Sequence, residues 1–496
     1  MSSTLLDQAV PASARRPLLR RRLGDLDRAQ RVLLGLVVAV VLLRVVLFPS
    51  AAGAPAYGDE AYYIDAARAL SNLVRDLVSF SIPDAAERSR DVAGNGWFMP
   101  GTSLLLTPLF VVVPHAPIEV VRAYLGVAST GLLLLTVLVV RRHLGRVPAG
   151  AVLVMPGLVP MYAAFGFSAY GDLIAGLFAV ILLTQCLELV RRVRGGTAVT
   201  WRHGVDLGLL GIAAVYFRSS VAILVVAALG MTLLIVLLLA RSQWRGVVLA
   251  MVGAAVAFVA VLAPWSAYAS HELGGRVITT TSVPTVLANT FGDRDDVCYG
   301  ECDPGSSIWF SPLRYSREVA RATGISETQA AAEMSAYARA DVTPHSYAQD
   351  VLANLARYLR NPAGFARILE SPTAPYPTAE FVGLLTYLMV FPAFLVGLVM
   401  LLVVTRRNAF GQVQSLLLKV AIGALLLQPF VHIGGSRYWT TLGPLLGLSA
   451  AFLYAFARPA SEPVRGGAPV AWLTVVQGAL AAAVVVTAAG ITVLAL

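Results

Sequence analysis

The stretch "RVLLGLVVAVVLLRVVLFPSAAGAPAYGDE", residues 31–60, places two adjacent carboxylates, Asp59 and Glu60, shortly after a long apolar run. The apolar part, residues 31–48, approaches the ~20 residues that cross a hydrocarbon core as a helix. Similar runs recur along the 496 residues of the chain, which is 57% hydrophobic and only 13% charged. Soluble domains carry roughly 25% charged residues. The composition therefore predicts an all-α polytopic membrane protein.

The positive charge of the chain is concentrated in short segments. The formal net charge is +10, which by itself would suit a nucleic-acid partner. The arginines, however, cluster between the apolar runs, as expected of cytoplasmic loops that face anionic lipid. We therefore expect the lipid bilayer as a partner and no nucleic acid. A composition rich in arginine, alanine, valine and glycine favours a bacterial plasma-membrane protein.

The placement of arginine predicts the topology. Residues 1–30 are basic, and the apolar segment after them lacks a small-residue cleavage pattern, so we expect this head to be retained in the cytoplasm. Placing every later arginine-rich loop inside gives about 11 transmembrane helices, with the N-terminus inside and the C-terminus outside. The predicted crossings are 31–48, 121–140, 150–168, 173–190, 205–219, 221–240, 246–266, 380–404, 412–433, 439–457 and 469–493.

The first outer loop, residues 49–120, is predicted to hold two helices that do not cross. The segment "GTSLLLTPLFVVVP", residues 101–114, is apolar but too short for a crossing, and its length is typical of a re-entrant or interfacial element. Counting it as a crossing would also invert every later loop. Leucine and valine residues within 60–80 follow helical spacing, with polar residues on the other side, which predicts an amphipathic helix lying on the membrane surface.

The chain divides into four predicted segments. These are a cytoplasmic basic head (1–30), a transmembrane module that includes the first outer loop (31–266), a large extracytoplasmic loop or subdomain (267–378) and the C-terminal transmembrane helices (379–496). The cytoplasmic loops are too short for a nucleotide-binding domain, and the sequence has no Walker A pattern, so ATP-driven chemistry is not expected.

The large outer loop contains "CYGEC", with Cys298 and Cys302 four residues apart. In an oxidising exterior compartment we expect these two cysteines to form a small-ring disulfide. The same spacing also suits one turn of a helix, which leaves two free thiols as the alternative. Cys186, within a predicted crossing, is most simply a packing residue.

Charged residues gather at the predicted outer ends of the helices. Asp59 and Glu60 lie in the first outer loop, and Asp172, Arg218 and Arg437 each follow or precede a crossing on the same side. Simpler interpretations exist for each: the acidic pair can be the charged first turn of a helix, Asp172 a helix cap, and the arginines partners of lipid head groups. Together, however, ionisable residues at membrane depth usually mark a cavity or pathway.

Two carboxylates and two arginines on one side suit a particular chemistry. A carboxylate can accept the proton of a hydroxyl nucleophile, and arginine can stabilise a departing phosphate through bidentate hydrogen bonds. The sequence thus favours a reaction that activates a hydroxyl and expels a phosphate.

Seven short motifs, in order along residues 31–457, support a family resemblance. They are "YGDEAYYIDAARAL", "NGWFMPGTSLLLTPLF", "SAYGDLIAGLF", "GIAAVYFRSS", "LAPWSAYASHELGGRVITTTSV", "ARYLRNPAGFARIL" and "GGSRYWTTLGPLL". In this order the chain resembles the GT-C superfamily of membrane glycosyltransferases, in the branch of the aminoarabinose transferases and protein O-mannosyltransferases. It departs from the family pattern at "WFMPGTS", which has a single proline and no basic residue, and after Pro264 and Trp265, where Ser266 and Ala267 replace the usual Arg-Asn.

The resemblance implies a GT-C-like bundle that transfers a monosaccharide from a polyprenyl-phosphate donor to an extracytoplasmic acceptor, with inversion. The acceptor would be a cell-envelope glycan, a lipid or a protein. By analogy Asp59 is the general base, and Glu60 and Asp172 shape the acceptor or metal environment. Arg218 and Arg437 bind the donor phosphate, with Tyr438 nearby. Some relatives use a divalent metal ion, for which Asp59, Glu60 and Asp172 are the candidate oxygen ligands.

Two other classes of function remain open from the sequence. A transporter or flippase for a lipid-linked or anionic solute would use the same charged residues as a substrate path. Transporters often carry internal repeats and discontinuous helices at the midplane, whereas this sequence shows no repeat and its charges gather at helix ends. An accessory subunit that keeps the fold without activity is the third possibility, and the intact Asp59 and Glu60 argue against it.

Overall fold

The computed structural model describes residues 27–80, 85–94, 96–293, 311–357, 368–372, 379–432, 436–457 and 468–496. Cys298 and Cys302, the predicted disulfide pair, lie outside these ranges. The helices of the first half are α1 (Arg28–Ala52), α2 (Asp59–Val78), α3 (Ala85–Ala93), α4 (Gly101–Val112), α5 (Ile118–His143), α6 (Arg146–Val154), α7 (Pro160–Phe165), α8 (Asp172–Arg194), α9 (Trp201–Phe217) and α10 (Ala222–Leu239).

The second half begins with the longest helix. Its helices are α11 (Trp244–Glu272), α12 (Val283–Phe291), α13 (Ser311–Thr323), α14 (Glu327–Ala338), α15 (Pro344–Arg357), α16 (Ala379–Leu402), α17 (Ala409–Leu426), α18 (Trp439–Ala457) and α19 (Ala471–Ala495). No strand occurs in the described ranges. The all-α prediction is therefore confirmed for the part of the chain that the structure describes.

Nine helices within the described ranges are long and apolar enough to cross a membrane. They are α1, α5, α8, α10, α11, α16, α17, α18 and α19. This confirms a multi-pass membrane protein. Helix α4 has 12 residues, which is too short to cross and agrees with the predicted half-inserted element. Helix α2 covers the predicted amphipathic stretch.

Two predicted crossings are not among these nine helices. The segment 150–168 is not one helix but is divided between α6 and α7, with residues 155–159 between them. Pro156 lies within this break and Pro160 is the first residue of α7. A proline inside a helix removes a hydrogen bond and clashes with the preceding turn, which explains the break. The other segment, 205–219, overlaps α9, which has 17 residues and ends at Phe217. The count of 11 crossings stays a prediction.

Ion pairs and ring contacts identify the two ends of the helix bundle. At one end Arg146, at the start of α6, donates to Asp27 just before α1 at 2.6 Å, and His143 at the end of α5 lies 3.3 Å from Glu188 of α8. At the other end Phe48 of α1 packs against Phe167, five residues before α8, with ring centroids 5.6 Å apart. We call the latter the site end, because the sequence-predicted site residues lie there.

Helix α8 occupies the centre of the bundle and brings its first residue to the site end. In its most apolar window 83% of the residues are buried, and it packs against α5, α9, α10 and α18. Cys186 is fully buried here, as expected of a packing residue. A Cβ on Gly171 would lie 2.2 Å from the carbonyl oxygen of Phe217. Only glycine therefore lets the start of α8 approach the end of α9 this closely.

The described part of the predicted outer subdomain, residues 267–378, is mainly helical and sits on the site end. Helices α12 and α14 share a small apolar cluster around Ala288, Met334 and Ala338. In α15 the Tyr347 hydroxyl donates to the carbonyl of Phe430 at 2.8 Å, beyond the end of α17. These contacts hold the subdomain against the transmembrane helices.

Candidate functional site

Asp59 lies at the first position of α2 and pairs with an arginine from the other end of the chain. Gly58 precedes it with φ of 58°, a left-handed conformation that glycine adopts without strain and that turns the chain into α2. The Nη1 of Arg437 donates to Asp59 Oδ2 at 2.8 Å, across 378 residues of sequence. Arg437 belongs to a 3₁₀ turn, Ser436–Tyr438, that leads directly into α18.

A second aspartate–arginine pair lies beside the first. Asp172 is the first residue of α8, and because Gly171 occupies the N-cap position, the alternative interpretation of Asp172 as the cap does not describe this helix. Its Oδ1 accepts a hydrogen bond from Nη1 of Arg218, the residue that links α9 to α10. The Nε of Arg218 donates to the Ser220 hydroxyl at 3.0 Å, which fixes the plane of the guanidinium.

Tyr438 joins the two pairs. The Cζ of Arg218 lies 4.2 Å from the centroid of the Tyr438 ring, and the Cζ of Arg437 lies 5.3 Å from the same centroid. Arg437 also stacks on Tyr170, at 4.9 Å. Guanidinium groups this close to an aromatic face are attracted by its quadrupole. The structure thus brings five sequence-predicted residues into one arginine–aspartate cluster, which consists of Asp59, Asp172, Arg218, Arg437 and Tyr438.

The cluster is accessible mainly through Asp59 and Arg437. Their side chains are 25% and 17% exposed, whereas those of Arg218 and Asp172 are 13% and 2% exposed. Burial alone lowers the pKa of Arg437, but Asp59, Tyr438 and Asp172 together outweigh it and raise this pKa well above its usual range. Arg437 therefore stays cationic at any working pH. Burial also raises the pKa of Tyr170, which keeps that hydroxyl neutral.

Glu60, although next to Asp59 in sequence, belongs to a different and enclosed pair. Its Oε1 accepts from Arg122 Nη1 at 2.5 Å and from the Ala169 N–H at 2.8 Å. Its Oε2 accepts from Arg122 Nη2 at 3.1 Å and from the Tyr57 N–H at 3.3 Å. The Glu60 and Arg122 side chains are 1% and 0% exposed. Both carboxylate oxygens are thus occupied, which does not suit the catalytic or metal-binding role expected from the sequence.

Sequence reasoning missed Arg122 and Tyr170. Arg122 lies in the first turns of α5 and is fully buried. Its signal was an arginine at the edge of an apolar run, on the side where the other charged residues gather, and such residues in membrane segments usually have a partner. Tyr170 carries no comparable signal, because a tyrosine near the end of a crossing is common in membrane proteins.

A small cavity of about 90 Å³ lies one helical turn along α2 from Asp59. Aromatic rings and carboxylates line it: Tyr62, Tyr63, Phe98, Trp265, Asp65 and Asp91. The rings of Tyr63 and Phe98 are 4.9 Å apart. Burial raises the pKa of Tyr63, and Asp59 and Asp172 add to the rise, which keeps the Tyr63 hydroxyl neutral.

The three predicted metal-ligand candidates do not form a ligand set. Asp59, Glu60 and Asp172 each pair with a different guanidinium, and a guanidinium beside each carboxylate opposes the approach of a cation. No group of three or more potential metal-binding side chains occurs in the described part of the chain. The residues therefore do not fit the divalent metal ion that some members of the resembled family use.

We compared the chain with protein-family models, with curated proteins and with solved structures, and none of the three comparisons finds a match. The likeness to the GT-C superfamily therefore stays a prediction made from the sequence motifs.

Proposed function

We propose that this protein transfers a monosaccharide from a polyprenyl-phosphate donor to a hydroxyl of an acceptor at the arginine–aspartate cluster. The observation that carries the proposal is the partly exposed pair of Asp59 and Arg437, joined through Tyr438 to the pair of Arg218 and Asp172. The cluster offers a carboxylate for a proton and two guanidiniums for a phosphate in the same place.

The two arginines would hold the donor phosphate. Arg218 and Arg437 approach the same tyrosine ring, and in this scheme oxygens of one phosphate group pair with both. A phosphate would compete with Asp59 for Arg437, because arginine pairs bidentately with phosphate as readily as with carboxylate. Binding of the donor would then release the Asp59 carboxylate from its ion pair at the moment a base is needed.

The cavity beside Asp59 would receive the acceptor. Aromatic rings such as Tyr63, Phe98 and Trp265 suit the apolar face of a sugar ring, and the carboxyl oxygens of Asp65 and Asp91 can accept hydrogen bonds from its hydroxyls. Since Asp59 is one turn away on the same helix, an acceptor hydroxyl could point at its carboxylate. These features favour a hydroxyl-rich acceptor, such as a glycan.

The reaction follows from these positions. The acceptor hydroxyl gives its proton to Asp59 while its oxygen forms a bond to the anomeric carbon of the donor sugar. The bond between that carbon and the phosphate oxygen breaks on the opposite side, which inverts the anomeric centre. The phosphate keeps the electron pair and remains on the lipid, stabilised by Arg218 and Arg437. In this scheme Glu60 and Arg122 are positioning residues.

The test is an assay of the purified protein with radiolabelled polyprenyl-phosphate sugars and a set of glycan, lipid and peptide acceptors. We expect wild type to transfer label from one of these donors, and the Asp59→Asn variant to lose the transfer. Glu119→Gln is the matched control, because Glu119 is an exposed carboxylate at the start of α5. Movement of label across liposomes without cleavage of the sugar–phosphate bond would contradict the proposal and favour a transporter.

A further inference from the structure

Arg44 is a buried cation in the middle of a membrane-spanning helix. Arg44 is 5% exposed, and it lies on the face of α1 that also carries the buried Val40 and Leu47. On other faces of α1, Leu42 and Val45 are 56% and 62% exposed. Helix α1 packs against α5, α6 and α7. Arg44 therefore faces these neighbouring helices and not the lipid.

The guanidinium of Arg44 lacks partners within the described residues. Its Nε and Nη1 are buried and make no hydrogen bond there. Arg122, by contrast, donates to a carboxylate and to three backbone carbonyls. A buried charge without a partner is unfavourable, so the environment of Arg44 is incomplete without an anion.

The depth of Arg44 limits what this anion is. At 1.5 Å per residue the Cα of Arg44 lies about 12 Å along α1 from its last residue, Ala52. That position falls within the hydrocarbon level of a helix of this length. Every anion has to leave its hydration shell to arrive there, which is costly. An anion attached to an apolar tail offsets part of this cost, because its tail stays in the hydrocarbon at the same level.

A second buried polar group lies farther along the same helix. Ser50 is 0% exposed, and its hydroxyl has no hydrogen-bond partner within the described residues. The carbonyl of Ser50 accepts from the Ser371 N–H at 3.0 Å, so residues around Ser371, with the buried Ile368 and Leu369, cover this part of α1. Arg44 and Ser50 are six residues apart, about 9 Å along α1 and about 120° around it, so α1 carries two separate buried polar groups without partners in the described part of the chain on its way to the site end.

We propose that Arg44 and Ser50 bind the phosphate-bearing head group of a lipid. Arg44 donates to the phosphate oxygens, and the Ser50 hydroxyl donates to the head group nearer the end of the helix. The shared chemistry is a phosphate ester on an apolar tail, supplied by a membrane phospholipid or by a polyprenyl phosphate. This site uses none of the arginine–aspartate cluster, so its existence does not depend on sugar transfer.

The experiment measures thermal unfolding of the full-length protein, delipidated in detergent. Phosphatidylglycerol, polyprenyl phosphate and inorganic phosphate are added separately to wild type and to Arg44→Met, both in an Arg437→Gln background that removes phosphate binding at the arginine–aspartate cluster. Arg31→Gln is the matched control, because it removes an exposed arginine from the same helix. Arg44→Gln serves as a second charge-free variant if Arg44→Met does not fold. Ser50→Ala removes only the hydroxyl.

We expect at least one of the two lipids to raise the melting temperature of wild type and of Arg31→Gln, and the lipid that does so identifies the source of the phosphate. Loss of the Arg44 charge should weaken the binding of this lipid about 10- to 100-fold, which corresponds to the free energy of hydrogen bonds to a charged group. Without lipid, Arg44→Met should be at least as stable as wild type, because the unpaired charge is gone. An equal response of Arg44→Met, no response of wild type to either lipid, or an equal response to inorganic phosphate would overturn the proposal.

Discussion

Asp59 and Glu60 are neighbours in sequence, yet the two ion pairs that they form differ in almost every respect. Glu60 and Arg122 are enclosed, with side chains 1% and 0% exposed, whereas Asp59 and Arg437 are 25% and 17% exposed. The enclosed pair has a donor or acceptor for nearly every polar atom. The open pair leaves part of its carboxylate accessible. The buried pair of Glu60 and Arg122 therefore stabilises the fold, whereas the partly exposed pair of Asp59 and Arg437 is able to exchange partners.

The enclosed pair also explains why the open pair is well positioned. Arg122 donates to the carbonyls of Ala54, Pro55 and Phe167 as well as to Glu60, so it ties the loop after α1 and the loop before α8 to α5. Asp59 begins the helix whose first turn is fixed in this way. The difference between the pairs gives predictions on stability, which follow from the largest expected effect to the smallest.

Breaking the enclosed pair should have the largest effect. Glu60→Gln leaves the Arg122 charge buried without a countercharge, which we expect to lower the free energy of unfolding by about 3–5 kcal/mol. Thermal and denaturant unfolding in detergent measure this loss, with Glu119→Gln as the control. A loss below about 1 kcal/mol, the range of exposed pairs, would show that the enclosed pair does not hold the fold.

The close approach of α8 and α9 should be the next most sensitive feature. Gly171 has φ of −76°, which alanine tolerates, so the effect of Gly171→Ala comes from its Cβ, 2.2 Å from the Phe217 carbonyl oxygen. We expect a loss of about 1–3 kcal/mol, typical of overpacking, measured by thermal unfolding. Gly230→Ala is the control, because a Cβ there meets nothing within 4 Å. Equal behaviour of the two variants would contradict the predicted contact.

The ring of Tyr438 should contribute less, through its two guanidinium neighbours. Tyr438→Leu removes the aromatic face and should cost about 1–2 kcal/mol, between the values for an exposed and a desolvated cation–π contact. Tyr438→Phe keeps the face and should be close to wild type in thermal unfolding. If Tyr438→Phe is as destabilising as Tyr438→Leu, the stabilising group is the hydroxyl and not the ring. The hydroxyl lies 3.4 Å from His432 Nε2.

Breaking the open pair should have the smallest effect on stability. Asp59→Asn removes a partly exposed charge and should lower the free energy of unfolding by at most about 1 kcal/mol. The same unfolding experiment in detergent, run beside Glu60→Gln, gives the comparison directly. A larger loss than that of Glu60→Gln would reverse the roles assigned to the two pairs.

Much of the candidate site was predictable from the sequence because membrane topology restricts where charges lie. Helix ends on one side of a bilayer converge, so the order of apolar and charged segments is enough to group Asp172, Arg218 and Arg437 with Asp59. The pairing could not be predicted, because Asp59 and Arg437 are 378 residues apart and either aspartate could have met either arginine. Nothing in the order of residues distinguished Glu60 from Asp59.

The fold was predictable in class but not in every helix. Pro156, Gly157 and Pro160 indicate the break between α6 and α7. We nevertheless predicted one helix there, because segment 150–168 is apolar throughout most of its length. Hydrophobicity reports on transfer into lipid, whereas proline acts on backbone hydrogen bonds, so the two signals need to be considered separately. Arg44 was overlooked for the same reason. It lies in a run that is otherwise apolar, so hydrophobicity gave no sign of a buried charge.

The most direct test of the proposed mechanism separates donor binding from transfer in the Asp59→Asn variant. Donor affinity and the single-turnover transfer rate would be measured for wild type, Asp59→Asn and Glu119→Gln with the polyprenyl-phosphate sugar that wild type uses. We predict that Asp59→Asn binds the donor at least as tightly, because Arg437 no longer has a competing carboxylate, while its transfer rate falls roughly 10²- to 10⁴-fold. Transfer by Asp59→Asn at the wild-type rate would contradict the mechanism.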